Sequence, residues 1–375
     1  VTSIGDYAFR YCSGLTSIEI PDSETSIGDG AFEGSGAIRE LIIPDSVQSV
    51  GRYAFEYCAL MTNLVLGAGI KELPYYVCQE CHALKSVTMP AEVRKLGEYC
   101  FSGCRKLAEF AFPTGLTSIG EHCFSSCESL SAIDLPAEMS YIGNEAFYYC
   151  RELKSVAIPR GINQNVKGIF RGCSGLAEVT FPDDLNRIGN EWFYDCTSLK
   201  LGSLPVGVTA IGSSAFYNCD ALTALELPAS VSSLGSYAFA YSDNLKSIEI
   251  PAAVKEIGSY AFYGCKGLSD VLLAVGLTTI GNDAFYGCNS LCAIHMPDTL
   301  RTVQSEAFRE CVNLAEVSFP TSLVTIGSHA FRNCRKLGDV ELPDSVTSIG
   351  DWSFAGDWTF RSFRFPSRIT AIPFW

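Results

Sequence analysis

Phenylalanine recurs every 23 residues along this chain without an insertion or deletion: Phe9, Phe32 and Phe55, then Cys78 in the same place, then Phe101 and onward in step to Phe331 and Phe354. These sixteen copies leave little room for an ordinary globule. A period of this length marks a stacked repeat, in which no unit can bury its apolar edge alone and neighbouring units supply the core.

The rest of the unit keeps the same ruler. Four residues before the Phe position stands Gly in thirteen copies, from Gly5 to Gly350, preceded by an aliphatic such as Ile4 or Ile119. Ala usually comes just before the Phe, as in Ala8, and Cys three after it, as in Cys12, Cys58 and Cys334. Leu follows at six (Leu15, Leu130), aliphatics at nine and eleven (Ile18, Ile20), then usually Pro (Pro21, Pro136). A last aliphatic stands three beyond that Pro, as in Val47 and Val231.

Two local periods sit inside the unit. From Leu15 to Pro21, Ile18 and Ile20 alternate with Ser17 and Glu19, the period-two pattern of a short strand with one buried face. From Asp6 to Cys12, the spacing of Ala8, Phe9 and Cys12 predicts about one turn of helix, opened by Gly5 where the chain bends. The expected fold is therefore an α/β repeat solenoid. Short parallel strands line a concave side, and the wider helical turns take the convex side. Pro74, Val77 and Cys78 in the fourth copy, Asn165 and Val166 in the eighth, and Gly202 in the ninth break the pattern and predict local irregularity.

Val1 to Asp6 begins in mid-unit, matching Val346 to Asp351, and the tail Ile372-Pro373-Phe374-Trp375 resembles Leu73-Pro74-Tyr75-Tyr76. Residues 1–375 thus read as a single repeat domain cut from a longer protein. The copy carrying Phe360, Phe363 and Phe365, with Arg361, Arg364 and Arg368, has the look of a partial cap.

The run from Val1 to Pro21 reads aliphatic-Thr-Ser-Ile-Gly-Asp-x-Ala-Phe-x-x-Cys-x-x-Leu-Thr-x-Ile-x-Ile-Pro, and Val254 to Leu273 is a variant of it. This pattern resembles the BspA-like, or Treponema-type, leucine-rich repeat, and the resemblance covers the whole chain. It implies a right-handed leucine-rich repeat array of about sixteen units. It also implies an extracellular or cell-surface protein, in a class where some members bind host matrix proteins or other cells. The family has no catalytic motif to carry over.

Thirteen of the seventeen cysteines share the register three after Phe, where Ser35, Ser242 and Asp357 stand in the remaining copies. Parallel side-chain vectors suit a ladder of buried free thiols better than disulfides. Cys78 with Cys81 has the spacing of half a zinc site, but both fall in core registers, as do Cys100, Cys104, Cys123 and Cys127. Cys292 alone reads as exposed, near His295, and no metal site is expected.

A net charge of −14 argues against nucleic acid as a partner, since phosphate binding needs clustered Lys and Arg. No stretch approaches the length of a membrane span, so this segment is not expected to insert. The outward strand positions carry Glu40, Glu109, Glu178, Asp270, Glu316 and Asp339 at eight after Phe, and Glu19, Asp134, Glu226, Glu249 and Glu341 at ten after. On the plain reading these are solvated strand residues; on the sharper one they attract a basic protein partner. One residue after Phe stand Tyr148, Tyr194, Tyr217, Tyr263 and Tyr286, which suit either a recognition patch or packing.

Catalysis is not expected. The four histidines are scattered, no nucleophile elbow, phosphate loop or metal-binding helix is present, and no cofactor motif appears. Two function classes remain. One is a surface-exposed scaffold that binds a host or neighbouring-cell protein through the repeat face, with extracellular matrix or cell-surface proteins as the partner class. The other is a spacer or stalk presenting another domain.

Overall fold

The computed structural model describes residues 2–357, 359 and 361–369. Phe360 of the expected cap and the tail from 370 to 375 lie outside them. The chain divides into two compact units, Val1–Asp184 and Leu185–Trp375, each a pile of 23-residue coils.

Eleven coils carry a broad strand segment and most carry a narrow one, both parallel to their equivalents 23 residues away; around Glu19, Glu109 and Asp134 no broad strand forms. A broad segment forms where the alternation predicts it, for example Glu40–Ile42, Asn63–Val65 and Ser86–Thr88 in the first unit and Ser247–Ile250 and Asp270–Leu273 in the second. Leu41 stands opposite Leu64 and is buried, while Glu40 and Ile42 on either side of it are exposed. A narrower segment lies just before the glycine position. In the second unit it builds a continuous ladder of eight, from Arg187–Ile188 to Ser348–Ile349.

The three irregular copies are irregular for visible reasons. The glycine N–H closes the narrow ladder by donating one coil back, as Gly51 does to Ile27 O at 2.8 Å. Pro74 has no such N–H, and the ladder is interrupted between Ser49–Val50 and Glu72–Leu73. In the eighth copy no narrow strand forms, and Asn163 Oδ1 accepts the Ile142 N–H at 3.0 Å. At Gly202 the broad strand shrinks to a single bridge between Ser203 and Glu226.

The expected helical turns are absent: no helix occurs among the described residues. In all sixteen copies the residues two before and two after the Phe position have positive φ, and in 24 of these 32 places the residue is not glycine. Two left-handed residues four apart, on either side of the Phe position, forbid an α-helix there. Hydrogen bonds alternate instead. Tyr7, Phe9 and Tyr11 N–H donate to the next coil at Asp29, Ala31 and Glu33 O (2.8, 2.7 and 2.7 Å), whereas Ala8, Arg10 and Cys12 N–H reach back three residues within the coil. The turns are thus a third ladder. Its bonds between coils offset the roughly 1–2 kcal/mol that each left-handed non-glycine residue costs.

The glycine column also has a different cause from the expected bend. A Cβ on Gly51 would lie 2.4 Å from Asp29 N and Gly28 C, and one on Gly120 2.5 Å from Glu98 N. Backbones of adjacent coils nearly touch there, which favours the residue without a side chain; Pro74, Val166 and Gln304 take the place in three copies, and Gln304 keeps the ladder bond to Ile280 O at 2.9 Å.

The core is a column of rings. Successive Phe rings lie 5.2–6.0 Å apart between centroids, as in Phe9–Phe32, Phe32–Phe55, Phe239–Phe262 and Phe331–Phe354. Beside it runs the sulfur column. In this column the Cys Sγ donates to the carbonyl at the Phe position of the preceding coil, for example Cys58 to Phe32 at 3.3 Å, Cys127 to Phe101 at 3.2 Å and Cys104 to Cys78 at 3.2 Å. Ser35 and Ser242 use their hydroxyls in the same way, on Phe9 O and Phe216 O. Asp357 takes this donor's slot with both carboxyl oxygens buried and without a hydrogen-bond partner among the described residues. Burial pushes its pKa up to about 8, against the pull of the Cys334 N–H.

All seventeen cysteines are free, and only Cys12 and Cys292 are exposed. Burial holds the Cys104 and Cys127 thiols well above the ordinary range, which keeps them inert. A thiol reagent should therefore titrate two groups rapidly in the folded protein and all seventeen after denaturation without reductant. A denatured count near one would mean that the ladder is oxidised.

Candidate functional site

The period-two strand leaves the positions eight and ten after Phe pointing outward, and across the sixteen copies these places hold eleven carboxylates. Glu19, Glu40, Glu109, Asp134 and Glu178 in the first unit, and Glu226, Glu249, Asp270, Glu316, Asp339 and Glu341 in the second, are all exposed. The same positions hold one base, Arg364. The chain as a whole has 41 acids to 27 bases, so acidity is concentrated on this face far beyond the average.

The position just before these strands carries six bases, Arg39, Lys85, Lys154, Lys200, Lys246 and Arg361. Lys154 and Lys246 stand just before their strands, and their ammonium groups lie near Gly175 and Gly267 of the following coil, toward the turn corner. Lys154 is held there by Glu152 at 3.1 Å.

Two grooves open along the face, one in each unit. The larger, about 1050 Å³, is lined by Glu226, Glu249, Asp270, Leu272, Cys292 and His295 among others. The second, about 650 Å³, includes Glu19, Glu40, Ile42 and Val65. Leu272 and Ile42 are 60% and 63% exposed, so each groove offers an apolar spot beside its acids. Glu226 and Glu249 stand in one register on adjacent coils, and Asp270 belongs to the next, across from Ser247.

Asp339 and Glu341 are already engaged. Asp339 Oδ1 accepts the N–H groups of Arg361 and Ser362 at 2.7 and 2.9 Å, which hold its pKa below the usual carboxylate range. Glu341 is paired with Arg364. Both tie the next coil down, leaving nine expected acids without that duty.

The tyrosine row is ring upon ring. Tyr194 stacks on Tyr217 at 4.3 Å and Tyr263 on Tyr286 at 4.6 Å, with Tyr241 wedged between Tyr217 and Tyr263 at 5.3 and 5.4 Å. Tyr148, in the first unit, packs on Tyr149 and lies under the Arg171 guanidinium. Ring faces consumed in this way are not free to stack on a ligand. A second aromatic column, Tyr53–Tyr76–Tyr99–His122 at 5.0, 4.9 and 4.8 Å, occupies the left-handed place two before Phe. The sequence reading missed it, although the recurrence of tyrosine at that register was visible.

His295 Nδ1 lies 3.0 Å from Ser318 Oγ, and Cys292 Sγ turns to Ser290 O at 3.4 Å. No group of three His, Cys, Asp or Glu among the described residues is placed to hold a metal ion. No helix among them is long and apolar enough to cross a membrane.

The family model for the BspA type leucine rich repeat region, of six copies, matches residues 1–93, 71–200, 187–314 and 256–374. Among solved structures, a leucine-rich repeat protein from Bacteroides ovatus is 28% identical with a TM-score of 0.80, over 93% of this chain and 92% of that one. A leucine-rich repeat protein from Eubacterium ventriosum shares the fold at 22% identity and a TM-score of 0.55, over 94% and 86%. No match is found among curated proteins.

Proposed function

The chain belongs to the BspA type leucine rich repeat family, and from that premise we propose that it is a non-catalytic scaffold that binds a protein partner through the broad strand face. Repeat arrays of this kind use their exposed strand faces for recognition. The observation that carries the reading is the charge of that face, eleven carboxylates against one guanidinium. A partner with basic residues beside an apolar anchor fits the two grooves, where exposed Leu272 and Ile42 sit among the acids. An extracellular or cell-surface setting, with matrix or cell-surface proteins as partners, is the setting the resemblance implies.

The test is capture from matrix and cell-surface extracts by the chain and by a triple variant, Glu226→Ser, Glu249→Ser and Asp270→Ser. The partner's affinity for the unaltered chain should fall steeply as salt rises from about 50 to 300 mM, because exposed charges are screened within roughly 10 Å. The variant should bind roughly tenfold or more weakly. Equal capture by both proteins, or affinity indifferent to salt, would favour a spacer that presents another domain.

A further inference from the structure

A second site lies on the turn side of the first unit, away from the strand face. In the first coil, Tyr7 and Tyr11 occupy the two left-handed places around the Phe position. The Arg10 guanidinium between them lies 5.0 and 4.8 Å from their ring centroids. It bonds Glu33 of the next coil at 2.7 Å, and Tyr11 Oη donates to the same Oε1 at 3.1 Å. The chain thus shows what such a frame holds: a guanidinium on a tyrosine face, closed by a carboxylate that is only 6% exposed.

The third coil repeats the two tyrosines, with a carboxylate in the place that the guanidinium takes in the first. Tyr53 and Tyr57 take the same two left-handed places, and the residue between them is Glu56, 8% exposed. Its carboxylate has no hydrogen bond or ion pair among the described residues. The groups around it are Glu33, already bound to Arg10, and Glu80, 3.4 Å from His82, with the phenols of Tyr57 and Tyr76 close by. Tyr53 already stacks on Tyr76, whereas Tyr57 is 49% exposed, so Tyr57 offers the open wall.

We propose that Glu56 and Tyr57 form a receptor for a guanidinium from outside the chain, the side chain of an arginine on a partner protein. Glu33 and Glu80 make ionising this buried carboxylate costly, and Arg10, the cation that offsets them, is already bound to Glu33. The donor set gives no three-ligand metal site among the described residues, and the first coil shows that a guanidinium, a tyrosine face and a carboxylate assemble on this side of the chain. In the free protein a proton fills the role. Burial first, then Glu33 and Glu80 against the opposing pull of Arg10, push the Glu56 pKa up to about 7. The folded carboxyl keeps a proton that the unfolded chain loses near pH 4, so this group's contribution to stability falls as pH rises from about 4 to 7. A bound guanidinium competes with that proton.

The experiment is an NMR titration of the Glu56 carboxyl, assigned with Glu56→Gln, in the presence of N-acetyl-arginine amide, N-acetyl-lysine amide, or sodium chloride at equal ionic strength. The arginine amide should lower the titration midpoint by about 0.5 or more and saturate, and Tyr57→Leu should abolish that response. An equal displacement by sodium chloride or by the lysine amide would overturn the proposal. So would an undiminished response in Tyr57→Leu, which leaves the carboxylates in place and so separates lost binding from lost fold.

Discussion

Replacing Phe262 by Ala should lower the free energy of unfolding by about 3–5 kcal/mol, the largest single effect expected in this protein. Phe262 is fully buried, and its ring lies 5.4 Å from Phe239 and 5.2 Å from Phe285. Truncation removes the ring's own burial and one stacking face from each neighbour, and Ala261, Cys265 and Leu268 around it are too short to fill the hole. Nearest-neighbour coupling then decides how the loss appears. Each coil depends on the two beside it, so the second unit should open first around residues 239–285. Urea denaturation gives the magnitude, and limited proteolysis of the native protein gives the place. A loss below about 1 kcal/mol would mean that the column relaxes to close the cavity, contrary to the packing described.

Gly51→Ala should cost about 1–3 kcal/mol or more although it adds a single methyl group. The new Cβ would meet Asp29 N and Gly28 C at 2.4 Å and Gly28 O at 2.6 Å. All three are backbone atoms that cannot swing aside. Relief requires the coils to part, which weakens the Gly51 N–H bond to Ile27 O and the pairing of Ser26–Ile27 with Ser49–Val50 beside it. Gly14→Ala is the control, since nothing lies within 4 Å of its Cβ and its φ is ordinary. It should change stability by no more than about 0.5 kcal/mol. Comparable melting temperatures for the two variants would remove the close-contact explanation of the glycine column.

Much of the fold was legible because the 23-residue register sorts residues by role. Beyond the first coil, where Phe9 is half-buried and Cys12 exposed, the Phe and Cys-ladder positions and most of the aliphatic ones read as core are buried, and the outward strand acids are exposed. The turn side was misread for a physical reason. Ala8, Phe9 and Cys12 have spacings that a helix and a string of tight turns satisfy equally. The distinguishing feature, two left-handed residues four apart, is filled mainly by tyrosine and glutamate, which announce no special backbone. A signal did exist: Gly30 and Gly168 two before Phe, and Gly34, Gly103, Gly172, Gly264, Gly287 and Gly356 two after, mark the same two columns. The glycine four before Phe was placed correctly but given the wrong cause, because a contact with another coil is invisible within one unit. Glu56 went unnoticed for the same reason. Its neighbours Glu33 and Glu80 are 23 and 24 residues away, and only stacking brings them together.

The turn ladder carries one more implication. Within each unit its bonds run from coil to coil in the same pattern, so a coil removed whole from the interior of a unit would leave a junction chemically equivalent to the one it replaced. Copy number is then nearly free to drift by recombination within the gene, in steps of 69 nucleotides, while any loss that is not a multiple of one unit would put Phe opposite Pro and Gly opposite bulk. Length variation between close relatives of this chain should therefore be quantised.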